Sequence, residues 1–145
     1  MNEIYQRMIL DYAKVSQRET ADHLSNTDSI QLDNPSCGDR IKLVVERDGQ
    51  LVTAISYQVE GCIICRAALA IMKQQLMNQT VPTINHLITA FSQLMMNQPI
   101  DTAAKTQLGD AVGLHAIVKL PVRIKCAMLP WKAISQALNG GISNR

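Results

Sequence analysis

The apolar residues near the start of the chain recur every three or four positions. Ile4, Met8 and Tyr12 share one side of a helical projection, with Ile9 and Val15 beside them. This spacing is typical of an amphipathic helix with one apolar face. The pattern therefore predicts a helix over about residues 3–16.

A second pattern follows, in which apolar and polar residues nearly alternate. Residues 29–33, 40–47 and 51–59 have this character, and a period of two is typical of half-buried strands. Asp48-Gly49 predicts a tight hairpin turn in which both central residues have positive φ. That hairpin would return Gly61-Cys62 to the end of the sheet where the second strand begins.

The rest of the chain has helical spacing and helix-forming composition. The expected helices cover residues 62–78, 84–95, 101–107, 120–126 and 131–138. Thr83 is expected to cap the second of these helices, and Pro130 to form the first turn of the last one. Residues 108–115 have no clear pattern.

The order of these elements predicts the fold class. One helix, three strands and then several helices indicate an α+β protein, with a three-stranded antiparallel sheet and helices packed on one face. A length of 145 residues is that of a single domain, residues 1–145, which can bury a core without disulfides.

Composition and charge exclude several classes of protein. The 47% apolar and 18% charged residues are ordinary for a soluble domain, and a net charge of +2 is too small to indicate nucleic-acid binding. The sequence contains no signal-peptide pattern and no apolar run of membrane-spanning length. We therefore expect a cytoplasmic protein, in which four cysteines indicate metal or sulfur chemistry before disulfides.

The candidate chemistry is concentrated in the segment from Asn34 to Arg40. Cys37 and Asp39 lie two residues apart on a predicted turn, where Pro35 fixes one backbone dihedral and Gly38 permits a conformation that other residues resist. A thiol and a carboxylate that point the same way suggest part of a metal site.

Two more cysteines are candidates to complete this site. Cys62 is expected in the first turn of its helix, where free N–H groups favour a thiolate; the alternative is a small apolar filler. Cys126 follows Arg123 and Lys125, two cations that would stabilise a thiolate or balance an anionic site. The alternative for Cys126 is a buried cysteine of an amphipathic turn. Spacings of 25 and 64 residues match no zinc-finger pattern.

Cys65 has a different character, although it forms a Cys-x-x-Cys pair with Cys62. Positions 62, 65, 69, 72 and 76 form one helical stripe whose later members are apolar. The stripe favours a buried structural thiol, and a spare ligand or a redox partner remain as alternatives. Redox pairs of this type usually occur in a βαβ setting, which the predicted strands do not supply.

The three histidines are weaker candidates. His23 and His86 lie in polar or helix-face settings, and His115 fits a structural role better than a ligand role.

Three blocks of sequence resemble one known family. Residues 34–41, Gly61-Cys62-x-Ile64 and residues 120–131 together resemble the SufU family, relatives of the IscU/NifU-type iron–sulfur scaffold proteins. Lys125 stands where IscU-type proteins have a histidine, and the helical segment at residues 83–108 resembles an insertion typical of SufU. Both features favour the SufU type.

The resemblance implies a function. It implies a zinc-dependent sulfurtransferase that accepts persulfide sulfur from a SufS-type, PLP-dependent cysteine desulfurase during iron–sulfur cluster assembly. The zinc ligands would be Cys37, Asp39, Cys62 and Cys126, with Cys37 as the persulfide acceptor. The alternatives are a scaffold that assembles an Fe–S cluster on the same cysteines and a purely structural zinc site, because thiolates bind zinc and iron alike.

Overall fold

The computed structural model describes residues 2–24 and 29–140. A 3₁₀ helix fills the segment without a clear sequence pattern, and a short π-helical turn ends the described chain. The elements are α1 (Glu3–Glu19), β1 (Ile30–Asn34), β2 (Asp39–Asp48), β3 (Leu51–Glu60), α2 (Ile63–Leu76), α3 (Val81–Met95), α4 (Thr102–Leu108), the 3₁₀ helix (Gly109–Ile117), α5 (Pro121–Ser135) and the π turn (Gln136–Gly140).

The three strands form one antiparallel sheet in the order β1-β2-β3. Asn34 pairs with Asp39 at the first hairpin, and Leu43 pairs with Tyr57 near the middle of the second. The described part of the chain thus has the predicted α+β architecture, and the expected fold class is confirmed.

The second hairpin turn differs from the prediction. Asp48 still belongs to β2 and pairs with Leu51, so the two loop residues are Gly49 and Gln50. Gly49 has a φ of 62°, whereas Asp48 and Gln50 do not have positive φ. Glycine at the first loop position is the arrangement of a type II′ turn, which matches the twist of the flanking strands and needs only one residue with positive φ.

The core lies between the sheet and the helices. Alternate residues of β2 and β3 are buried on the inner face, as the period of two requires. Nine of the 14 residues of α2 are buried, because this helix packs on α1 and α5 as well as on β3. Trp131 of α5 stacks on Phe91 of α3 with 4.3 Å between ring centroids. The sheet and α2 therefore provide a fixed frame for the residues at their common end.

The inner face of α1 is rotated from the predicted one. Ile9, Ala13 and Ser16 are buried, whereas Ile4 is 74% exposed. The helix also continues to Glu19, because its last turn is tied to the sheet: the Tyr57 hydroxyl donates to Glu19 Oε1 at 2.6 Å.

Two predicted helix starts are wrong. Thr80, not Thr83, caps α3, and its hydroxyl accepts a hydrogen bond from the Thr83 backbone N–H at 3.4 Å. Pro130 does not begin a new helix but lies buried inside the continuous helix α5. Packing of the apolar residues on both sides of Pro130 holds the helix together despite the missing N–H donor. Within the described ranges, no helix is both long and apolar enough to cross a membrane.

Candidate metal and thiol site

The loop between β1 and β2 is built to hold two functional side chains close together. Its four residues, 35–38, close with a hydrogen bond from the Cys37 N–H to the Asn34 carbonyl oxygen at 3.2 Å. Gly38 has a φ of 69°, which lets the chain reverse at little cost. Cys37 is therefore held at the tip of the hairpin, half-buried, and Asp39 at its base.

Asp39 is a buried carboxylate with a hydrogen-bond donor on each oxygen. The residue is only 2% exposed. Oδ1 accepts from the Cys62 backbone N–H at 2.8 Å, and Oδ2 accepts from Asn34 Nδ2 at 3.2 Å. A Cβ at Gly61 would lie 2.5 Å from Oδ1, so this close approach needs glycine. The carboxylate orientation is thus fixed from three sides.

Cys62 is the N-cap residue of α2. It therefore lies one position before the first turn, in which the sequence pattern places it. Its backbone is extended and its Sγ accepts from the Cys65 N–H at 3.5 Å. The free N–H groups of a helix start favour negative charge, so this position suits a thiolate.

Cys126 brings a sulfur from the helix on the other side of the site. It is fully buried in α5, and Asn34 Nδ2 approaches its Sγ at 3.6 Å. Burial raises the pKa of the Cys126 thiol, and its contacts with Cys37, Asp39 and Cys62 raise it further. Anionic groups that converge in this way need a cation among them before they can all ionise.

The ligand atoms of Cys37, Asp39 and Cys126 lie within 4.8 Å of one another. Ligand atoms around tetrahedral zinc are about 3–4 Å apart, so a small contraction would enclose an ion. Among the described residues, the structure gathers three of the four predicted ligands into this group; Cys62 lies beside it and contacts Cys126. Three sulfurs and one carboxylate oxygen are a donor set that suits zinc.

Arg123 is a cation whose charged form the nearby thiols favour. The Cys62 sulfur is the main cause that raises the pKa of Arg123, and Cys126 and Cys37 add smaller contributions. Arg40 instead pairs with Asp33, with 3.1 Å between Nε and Oδ1. Arg123 therefore supplies a positive charge at the thiols, whereas Arg40 is engaged by Asp33.

Cys65 lies in the core, as the apolar stripe of α2 predicts. Its side chain is fully buried, and burial raises the pKa of its thiol. It is not part of the three-residue ligand group.

The histidines lie outside the site. His23 and His86 are exposed, and His115 Nε2 lies 2.8 Å from Asn97 Oδ1.

Asn34 is the functional residue that the sequence analysis did not single out. Its side-chain amide faces both Asp39 and Cys126, and only 6% of the residue is exposed. The signal in the sequence that could have identified it is an asparagine immediately before a Pro-x-Cys turn.

The chain is similar to several known proteins. The profile of the NifU-like N terminal domain matches residues 4–127. The zinc-dependent sulfurtransferase SufU of Bacillus subtilis is 31% identical over 95% of this chain and 91% of its own length. The iron–sulfur cluster assembly scaffold protein IscU of Streptococcus pyogenes is 30% identical over 95% of this chain and 84% of its own.

Solved structures have the same fold. A crystal structure from Fervidobacterium islandicum, described as an iron–sulfur cluster assembly scaffold protein for the SUF system, superposes with a TM-score of 0.83 at 26% identity, over 94% of this chain and 97% of that one. The N-terminal NifU-like protein of Brucella abortus, at 15% identity, shares the fold with a TM-score of 0.81 over 94% and 93% of the two chains. The predicted resemblance is confirmed, and the chain belongs to the NifU-like N-terminal domain family, the superfamily of SufU and IscU.

Proposed function

We propose that this protein is a zinc-dependent sulfurtransferase in iron–sulfur cluster assembly, and that it accepts persulfide sulfur from a SufS-type, PLP-dependent cysteine desulfurase. The observation that carries the proposal is the convergence of Cys37, Asp39 and Cys126 within 4.8 Å, with Cys62 beside them. The similarity to a relative named as a zinc-dependent sulfurtransferase supports the same conclusion.

Cys37, Asp39, Cys62 and Cys126 are the residues that would hold the zinc ion. Bound zinc would keep these thiols ionised at neutral pH, where a free cysteine with a pKa of about 8.5 is mostly protonated. Asn34 holds Asp39 and Cys126 in position, and Arg123 supplies a countercharge at the thiols.

Cys37 is the proposed sulfur acceptor because it alone of the three ligand cysteines lies on a loop. Cys62 is the N-cap of α2 and Cys126 lies inside α5, so the backbone of each is tied to a packed helix, whereas the hairpin loop can present the Cys37 sulfur to a partner protein. The Cys37 thiolate would attack the outer sulfur of the desulfurase persulfide. A new S–S bond forms on Cys37, the partner's S–S bond breaks, and the partner's cysteine leaves as a thiolate.

The surface beside the thiols suits a protein partner. Ile63, Leu120 and Val122 are 49%, 48% and 56% exposed. Ile63 directly follows Cys62, and Leu120 and Val122 lie at the start of the helix that carries Cys126. A cleft of about 160 Å³ lined by Ser36, Pro121, Val122 and Lys125 adjoins the loop that carries Cys37. Exposed apolar side chains at one end of a soluble domain are typical of an interaction surface.

The test is to mix the zinc-loaded protein with a SufS-type desulfurase, cysteine and a reductant, and to measure alanine release. The protein should raise alanine release above that of the desulfurase alone, and Cys37→Ala should abolish the increase. Cys65→Ser is the matched control, because it removes a buried thiol that is not part of the three-residue ligand group. Full activation by Cys37→Ala, or trapped sulfur found on Cys126, would refute the assignment of the acceptor.

A second candidate function is an Fe–S cluster scaffold that uses the same cysteines. Relatives from Streptococcus pyogenes and Thermotoga maritima that carry a scaffold name favour it. Metal analysis and visible absorption of the protein as purified separate the two functions. Zinc gives a colourless protein, whereas a loaded cluster absorbs visible light and contains iron.

A further inference from the structure

Cys65 is a thiol without a role in the proposed sulfur transfer, yet it is directly connected to a proposed ligand. Its backbone N–H donates to Cys62 Sγ at 3.5 Å across the first turn of α2. Cys62 is the N-cap of this helix and Cys65 is its third residue. The structure therefore places two thiols on one turn, one half-buried and the other fully buried.

We propose that Cys62 and Cys65 form a reversible disulfide when the protein meets hydrogen peroxide, and that this oxidation removes Cys62 from the metal site. The half-buried Cys62 sulfur attacks one peroxide oxygen, the O–O bond breaks, and Cys62 becomes a sulfenic acid with release of water. The Cys65 thiol then attacks the Cys62 sulfur, which forms the S–S bond and releases a second water. Two thiols lose two electrons in total and one peroxide gains them.

The geometry of the helix start permits this bond. Residues three apart on a helix have Cβ atoms about 5–6 Å apart, and a disulfide needs a separation of about 3.5–4.5 Å. Cys62 can cover the difference because it is the N-cap, with extended backbone (φ −73°, ψ 167°) rather than helical geometry. Gly61 immediately before it also leaves the entry to the helix free of a side chain.

The choice of Cys65 over the other cysteines follows from the site itself. In the zinc-loaded protein, Cys37 and Cys126 would still be held by the metal when Cys62 becomes a sulfenic acid, and zinc would leave once the disulfide has formed. Cys65 is the remaining thiol of the chain, and no diffusion or change of fold is needed for it to reach Cys62. Its burial shields it from peroxide, so Cys62 reacts first and Cys65 resolves the product.

Peptide mapping tests the proposal directly. Zinc-loaded protein is treated with hydrogen peroxide, alkylated and digested with trypsin. The cleavage sites isolate Cys62 and Cys65 together in residues 48–66, Cys37 in residues 19–40 and Cys126 in residues 126–132. In the wild type, peptide 48–66 should resist alkylation and be lighter by two hydrogens. Zinc, followed with a chromogenic chelator, should leave with this change and rebind after reduction.

Cys65→Ser is the matched variant, and Cys65→Ala serves in its place if serine unfolds the buried position. In either variant, Cys62 should gain oxygen instead of forming a disulfide, and the fraction of zinc that rebinds after reduction should fall several-fold. The proposal is overturned if both cysteines of peptide 48–66 are alkylated after zinc loss. It is equally overturned if that loss is accompanied by a disulfide that links peptides 19–40 and 126–132. No desulfurase enters this experiment, so its outcome is independent of the sulfur-transfer function.

Discussion

Gly61 provides a sharp test of how the site carboxylate is held. A Cβ at position 61 would lie 2.5 Å from Asp39 Oδ1 and 3.1 Å from the Asp39 Cα. The oxygen can swing away, but the Cα belongs to the paired strand β2 and cannot. Gly61→Ala should therefore displace the Asp39 carboxylate and break its hydrogen bond from the Cys62 N–H.

The magnitude follows from the two interactions that are disturbed. Overpacking costs about 1–3 kcal/mol, and a hydrogen bond to a charged acceptor contributes about 1.5–3 kcal/mol. Movement of the carboxylate relieves part of the overlap, so we expect a loss of about 2–4 kcal/mol in the free energy of unfolding. The Tm should fall by about 5–15 °C for a domain of this size. The dissociation constant for zinc should rise about 10–100-fold, as for other losses of ligand orientation.

The assay combines thermal unfolding with zinc competition against a chromogenic chelator. Gly49→Ala is the matched control, because Gly49 also has a positive φ, 62°, but nothing lies within 4 Å of its added Cβ. It should lose about 1–2 kcal/mol from backbone strain and keep its zinc affinity. If Gly61→Ala binds zinc as tightly as Gly49→Ala does, Asp39 is not a ligand positioned by this contact and the reasoning fails.

Two further variants test other parts of the structure. Asn34→Ala should raise the zinc dissociation constant about tenfold or more, because the residue positions Asp39 and Cys126; unchanged affinity in the chelator assay would contradict this role. Tyr57→Phe should lower the free energy of unfolding by about 1–2 kcal/mol at neutral pH, since Glu19 loses its hydroxyl donor. Burial, and then the bond to Glu19, raise the pKa of Tyr57 above its ordinary value of 10.0. As the pH rises, the native state thus keeps this proton to a higher pH than the unfolded state does. The contribution of the Tyr57 hydroxyl to stability is therefore full below about pH 10 and declines above it. Urea titrations of the wild type and of Tyr57→Phe at a series of alkaline pH values should show that the variant lacks this part of the loss of stability.

The sheet could be predicted from the sequence because its signals are local. Alternating residues and a glycine turn identify β2 and β3 without knowledge of the rest of the fold. The continuity of α5 could not be predicted, because Pro130 normally ends a helix and only the packing of Trp131 and its neighbours keeps the helix intact. The prediction of the buried face of α1 was wrong for a related reason, since burial depends on the elements that pack on the helix. Ile4 fits the apolar period, but it is 74% exposed, because none of the described elements packs over its side chain.

The site was predicted residue by residue from a resemblance, and the structure adds what sequence spacing does not contain. Cys37 and Cys126 are 89 positions apart, and only the docking of α5 against the first hairpin brings their sulfurs together. The role of Asn34 depends on the register of that hairpin, where it pairs with Asp39. The sulfur of Cys62 accepts from the Cys65 N–H and contacts Cys126, so it lies beside the three-residue group rather than in it, a side-chain position that no sequence pattern encodes.

Pro130 has a consequence for Cys126 that its burial alone does not indicate. Within an α-helix, the N–H of residue 130 would donate to the carbonyl oxygen of residue 126, and proline has no N–H to donate. The turn of α5 that carries Cys126 therefore lacks one of the backbone hydrogen bonds of a regular helix. Helices bend most readily at such points. A bend of α5 at this point would shift the Cys126 sulfur by a small distance while the helix on either side stays packed, so this proposed ligand can adjust its position without leaving the site.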